Sequence, residues 1–142
     1  MNSSRNNVVI YWDASAILSA LIKDAHSKQA HQWLSKEGAH LLSTLAYAET
    51  LAVLSRMRRE RVISSVLIEA AIETIESGPW RRLVIGPTWN LMISLSKRWF
   101  LRGADLWHLA VAKQVHEHLP EVKVLTFDDR LKVAAQGEGI GF

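Results

Sequence analysis

Val8 to Trp12 is an unbroken run of β-branched, aliphatic and aromatic residues, the pattern of a strand buried on both faces of a parallel sheet and, here, of its central strand. Asp13 ends the run and is a suitable helix cap, so Ala14 to Ile22 is predicted as a helix. Ser27 to Lys36 reads as a second helix with Ala30, Trp33 and Leu34 inward, closed by Gly38. His40 to Ser43 is a short strand. From about Leu45 to Arg59 the apolar positions Leu45, Ala48, Leu51, Ala52 and Leu54 recur at helical spacing.

A further amphipathic helix, Ser65 to Ile75, stops at Ser77-Gly78-Pro79. Leu83 to Ile85 reads as a strand, and Pro87 near a helix start introduces Thr88 to Trp99, which Gly103 breaks. Asp105 to Glu117 is helical, Val122 to Thr126 a strand, Asp129 to Ala135 a short helix, and Ile140 to Phe142 a candidate edge strand. Strands alternating with helices predict a three-layer α/β/α fold with a central parallel sheet of four to five strands. The 142 residues suit one domain, with Met1 to Asn7 a polar, loosely attached tail.

The chain has no cysteine, which excludes a disulfide framework, a cysteine zinc site and a cysteine nucleophile. Val8 to Ile22 is too short and too interrupted by Asp13 to span a bilayer, and it makes a poor secretion leader, so a cytoplasmic protein without membrane attachment is expected. The formal charge of +3 is small, but the basic residues cluster at Arg56, Arg58, Arg59 and Arg61, at Arg81 and Arg82, and at Lys97, Arg98 and Arg102. One such cluster is an ordinary solvated surface. Several beside an acidic pocket suit a polyanion that meets a metal.

Of the five aspartates, Asp13, Asp105, Asp128 and Asp129 fall at predicted helix starts, and Asp13 and the Asp128-Asp129 pair follow strands directly. A single aspartate there is adequately explained as a cap contributing roughly 0.5–2 kcal/mol. The carboxyl ends of parallel strands are also where ligand crevices form, so these side chains can face one another. Glu49 has Leu45, Ala46, Ala52 and Val53 three and four residues away, which turns it toward the inward stripe of its helix. A buried glutamate needs a partner. Two bare carboxylates about 5 Å apart repel by roughly 3 kcal/mol at an effective dielectric near 20, so a cluster of four needs a cation. All-oxygen ligation favours Mg²⁺ or Mn²⁺, and the chemistry implied is phosphodiester hydrolysis.

These residues lie in familiar motifs. Tyr11-Trp12-Asp13-Ala14-Ser15-Ala16-Ile17-Leu18 resembles the opening D-x-S-A-hydrophobic segment of PIN domains, particularly VapC toxins of toxin–antitoxin pairs. Thr44 to Arg58, with Glu49, is similar to the helix carrying the second acid of that family. Gly103-Ala104-Asp105-Leu106-Trp107-His108-Leu109-Ala110 resembles its A-D-x-x-H-L-A helix, and Val124-Leu125-Thr126-Phe127-Asp128-Asp129-Arg130-Leu131 its T-x-D-x-x-L segment. The resemblance implies metal binding and catalysis by Asp13, Glu49, Asp105 and Asp128, with Ser15 and Thr126 as supporting hydroxyls. Asp128 holds the motif position, and Asp129 strengthens a helix N-terminus. It further implies an endoribonuclease acting on RNA, a homodimer, and inhibition by a cognate antitoxin protein. Leu106-Trp107 is bulkier than the family pattern, and the alignment around Glu49 is looser.

The remaining residues have plainer readings. His26 and His31, and His116 and His118, lack the spacing of a helical zinc site and read as surface residues; His108, one turn after Asp105, reads as a packing or supporting histidine. Most of the six tryptophans read as core, with Trp80 the best candidate for an exposed aromatic. Arg130 and Lys132 read as solvated. A phosphoryl-transfer hydrolase with a nucleophilic aspartate competes, but it wants a second acid where Ser15 stands. A stand-alone nuclease and a non-catalytic RNA-binding scaffold of the same fold compete as well.

Overall fold

The computed structural model describes residues 7–142. Of the expected polar tail, therefore, only Asn7, exposed coil, falls within the described residues. The elements run β1 (Val8–Trp12), α1 (Ala14–Leu21), α2 (Ser27–Leu34), β2 (Gly38–Ser43), α3 (Thr44–Arg59), α4 (Ser65–Ser77), β3 (Trp80–Leu83), α5 (Trp89–Arg98), α6 (Gly103–His118), β4 (Lys123–Leu125) and α7 (Asp129–Gly137).

All strand pairs are parallel, in the order β3-β2-β1-β4, so β1 is central as its composition predicts. Side chains alternate across the sheet. Val9 and Tyr11 of β1, Leu41 of β2 and Val124 of β4 enter one core with α5, α6 and α7. Ile10, Trp12, Leu42 and Leu125 enter the opposite core with α1, α2 and the start of α3. Helices therefore cover both faces, giving the expected three-layer α/β/α arrangement. Gly38 does not simply close α2: it opens β2 at φ 144°, where a Cβ would stand 2.0 Å from the carbonyl oxygen of Val8. Only glycine lets the first two strands meet there.

Several boundaries differ from the sequence reading. β3 occupies Trp80–Leu83 rather than Leu83 to Ile85; Val84 and Ile85 follow it and are exposed. An edge strand tolerates the outward charges of Arg81 and Arg82, so its pairing with β2 outweighs the aliphatic run beside it. Trp80 is accordingly half-buried against Trp12 and His40, whereas the exposed tryptophan is Trp89. Gly103 begins α6 instead of ending a helix. The expected final strand reduces to one parallel bridge, Val124 to Gly141. On α3 the buried line is Ala46, Thr50 and Leu54, while Ala48 and Ala52 face solvent. Glu49 thus lies on the flank of the inward stripe and is half-buried.

With this strand order the chain moves outward from β1 through β2 to β3, then returns to place β4 on the other side of β1. The switch between β1 and β4 is where a parallel α/β sheet opens a crevice at its carboxyl end.

Candidate active site

The crevice is where four acids meet. Asp13 follows β1 and caps α1; Asp128 lies beyond β4 and caps α7; Asp105 stands in the first turn of α6; Glu49 projects from α3. All four line one cleft, together with Ser15, Arg102 and His108. Asp13 and Asp128 are genuine caps, accepting from the backbone N–H of Ala16 and Leu131. Asp105 is not a cap; that place belongs to Arg102. Asp129 is exposed in the first turn of α7.

Asp13 is the most enclosed acid, 3% exposed. Ser15 donates to Oδ1 at 2.7 Å and Thr126 donates to Oδ2 at 2.5 Å. Ser15 Oγ also accepts the Phe127 backbone N–H from the opposite turn, while Thr126 Oγ1 accepts the Asp128 N–H within its own turn. These two residues lock the β1–α1 turn to the β4–α7 turn and so fix the spacing of Asp13 and Asp128. Burial pushes the Asp13 carboxyl above the usual carboxylate range, against the pull of Thr126, Ser15, the Ala16 N–H and His108. Asp105 is raised as well, by burial and then by the charge of Asp128, with Arg102 and His108 opposing.

Two basic side chains organise the acids. Arg102 Nη2 donates at 3.3 Å to Asp105 Oδ2 and at 3.3 Å to Asp128 Oδ2, sitting between them as a cation would. By sequence this arginine groups with Lys97 and Arg98 as surface charge; its position three residues before Asp105 at a helix start is the signal that sets it apart. His108, 1% exposed on α6, faces Glu49 Oε1 through Nε2 at 2.6 Å and Tyr11 through Nδ1 at 2.7 Å. A Glu49 carboxylate can only accept, so Nε2 is the donor toward it, and Nδ1 of the neutral ring is left to accept the Tyr11 hydroxyl, whose proton burial holds in place. The ring proton then belongs on Nε2, where it is donated to Glu49. His108 thereby supports Glu49 rather than standing as a free base.

Among the described residues, no three carboxylates or histidines come close enough as arranged to hold one ion. Arg102 holds two of the acids, and His108 draws the third aside. The donor chemistry nevertheless suits a hard divalent cation, since four oxygen-only ligands share one cleft and a guanidinium already occupies a cation's position between two of them.

The other histidines are mixed. His40 is buried, accepting at Nδ1 from Trp12 Nε1 and donating from Nε2 to the Lys36 carbonyl. His26 is exposed and stacks on Phe127. No helix among the described residues is long and apolar enough to cross a membrane.

Comparison with known proteins agrees with this architecture. The PIN domain family model matches residues 10–137. The fold is similar to VapC20 of Mycobacterium tuberculosis, described as a sarcin-ricin loop cleaving toxin, at 19% identity and a TM-score of 0.59, covering 88% of this chain and 94% of that one. It is similar also to PAE2754 of Pyrobaculum aerophilum, at 17% identity and a TM-score of 0.65, covering 92% and 81% respectively. A comparison with curated proteins gives no match.

Proposed function

Because the chain belongs to the PIN-domain family, a family of nucleases, we propose that it is a divalent-metal-dependent endoribonuclease hydrolysing RNA phosphodiester bonds. We infer further that it is the toxin of a toxin–antitoxin pair, cytoplasmic, dimeric, and restrained by a cognate antitoxin. The observation that carries the reading is the convergence of Asp13, Glu49, Asp105 and Asp128, from four separate helix segments, on one cleft at the sheet's switch point. The toxin assignment is supported by the shared fold of VapC20, itself a toxin. Dimerisation is supported by large apolar side chains left in solvent at Trp89, Ile93 and Phe100.

Asp13, Glu49, Asp105 and Asp128 are the residues that would hold Mg²⁺ or Mn²⁺. When bound, the ion supplies Lewis acidity toward water and phosphate. The chain's own contribution is positional. Ser15 and Thr126 orient Asp13, and His108 orients Glu49. Arg102, whose side chain is 75% exposed, is free to exchange its two carboxylates for a phosphate oxygen of the substrate.

The test is to incubate the purified protein with a broad set of RNAs and Mg²⁺ or Mn²⁺, with EDTA as control. Cleavage that requires the ion and disappears in Asp105→Asn is expected; cleavage that persists in EDTA would overturn the reading. A non-catalytic RNA-binding scaffold is favoured by one observation, that Arg102 already neutralises two of the acids. RNA binding without cleavage under all these conditions would select it.

A further inference from the structure

Phe127 lies between Thr126 and Asp128 and lines the acidic cleft. Its backbone N–H is held by Ser15, the residue that also donates to Asp13, so the placement of the ring is tied to that of the buried acid. On its other side stands His26, with ring centroids 4.4 Å apart and planes only 7° from parallel. Phe127 is half-buried against the core and lines the cleft, whereas His26 is exposed, so the stacked pair runs from the cleft lining out to solvent.

The loop that carries His26 is tied down through its backbone and short polar side chains. Asp24 Oδ1 accepts the His26 backbone N–H at 2.8 Å, and Asp24 Oδ2 accepts from Ser19 at 2.8 Å. Ser27 in turn accepts the Asp24 N–H and donates to the Ile22 carbonyl. A short connection between two helices has no need of an outward-facing ring on a stacked pair, since a smaller residue would leave these bonds intact.

We propose that His26 and Phe127 form a stacking platform for a nucleobase of the substrate, a base subsite at the rim of the acidic cleft. A flat π face is what an unpaired base requires, and stacking tolerates any base, so the platform contributes affinity and register without reading sequence. A ring already stacked on a neighbour has less freedom to lose when the base arrives. The subsite selects single-stranded or looped RNA, because only an unstacked base can reach it. It rests on the nuclease reading for its ligand, while its geometry is independent of any ion.

The test measures binding of a short fluorescein-labelled single-stranded RNA in EDTA, alongside a series in which each nucleotide in turn is abasic. Wild type, His26→Ala and His26→Trp are compared, with cleavage in Mn²⁺ followed in parallel. The expected result is about tenfold weaker binding for His26→Ala and retained or tighter binding for His26→Trp. One abasic position should weaken wild type by a similar factor and leave His26→Ala unaffected. Equal losses for wild type and His26→Ala at every abasic position would overturn the platform while leaving the nuclease reading intact. If wild type neither binds nor cleaves RNA, both fall. If His26→Ala folds poorly, His26→Gln, which keeps bulk without a π face, is carried through the same abasic series and decides the matter in its place.

Discussion

Asp13 combines two roles that pull its protonation in opposite directions. As a cap and as the acceptor of the Ser15 and Thr126 hydroxyls it favours the carboxylate, yet burial outweighs these donors and raises it. A carboxyl raised in the folded state holds its proton more tightly than in the unfolded chain. Its contribution to stability is then fully present below the unfolded value, near 3.9, and is lost as pH rises through the native one. Asp13→Asn removes that loss while keeping an oxygen for the Ala16 N–H, and the Thr126 hydroxyl can turn to accept the new amide. Urea unfolding in EDTA should therefore show the variant gaining on wild type as pH climbs through the carboxylate range, with cleavage abolished. A stability difference that stays flat or shrinks with pH would contradict the assignment. Arg102 supports a second expectation. With its side chain 75% exposed, each of its ion pairs is worth only about 0–1 kcal/mol, so Arg102→Gln should tighten Mn²⁺ binding by up to roughly tenfold in calorimetric titration. Weaker binding would show that the arginine assembles the acids instead of competing for them.

Among the elements, α6 joins two sides of the cleft: Asp105 and His108, one turn apart, face Asp128 at the start of α7 and Glu49 on α3. The start of α6 was legible because its acid falls in a helical pattern after a break, and the ends of β1 and β4 were legible because their apolar runs stop at or shortly before acids. β3 was not, since Leu83-Val84-Ile85 is the more strand-like text and the decision lay with pairing to β2, a long-range matter. Arg102 and the Glu49–His108–Tyr11 line escaped for the same reason: their meaning depends on which helices become neighbours. So did Glu138, just past α7, which ties three helices. Arg98 grips it with two bonds at 3.0 Å, Trp99 donates at 2.8 Å, and Lys113 of α6 stands 3.4 Å away. Burial pushes its carboxyl up, but these three donors together hold it below the usual range. Its contribution is present above the unfolded value and is lost as pH falls through the native one. Glu138→Gln should lower stability by about 1–3 kcal/mol near neutral pH. That deficit should close in acid; a deficit independent of pH would show that shape, not charge, matters at this position.

At the scale of the whole molecule, the sheet order makes the cleft a meeting point. Asp13 depends on β1 and α1, Glu49 on α3, Asp105 on α6, and Asp128 on the β4–α7 turn, so the acids come together only when the sheet is assembled with helices on both faces. An unfolded chain with acids at positions 13, 49, 105 and 128 has no comparable site. A cation that binds there must therefore stabilise the entire fold, by about 2.7 kcal/mol at a hundred times its dissociation constant. For a chain of 142 residues this corresponds to a rise in Tm of roughly 10 °C. Mn²⁺ should produce that rise in wild type, EDTA should reverse it, and Asp13→Asn should lose most of it while melting no lower than metal-free wild type. The comparison separates a shared site from a single surface acid, because an ion held by Asp128 alone would stabilise Asp13→Asn as much as it stabilises the wild-type chain.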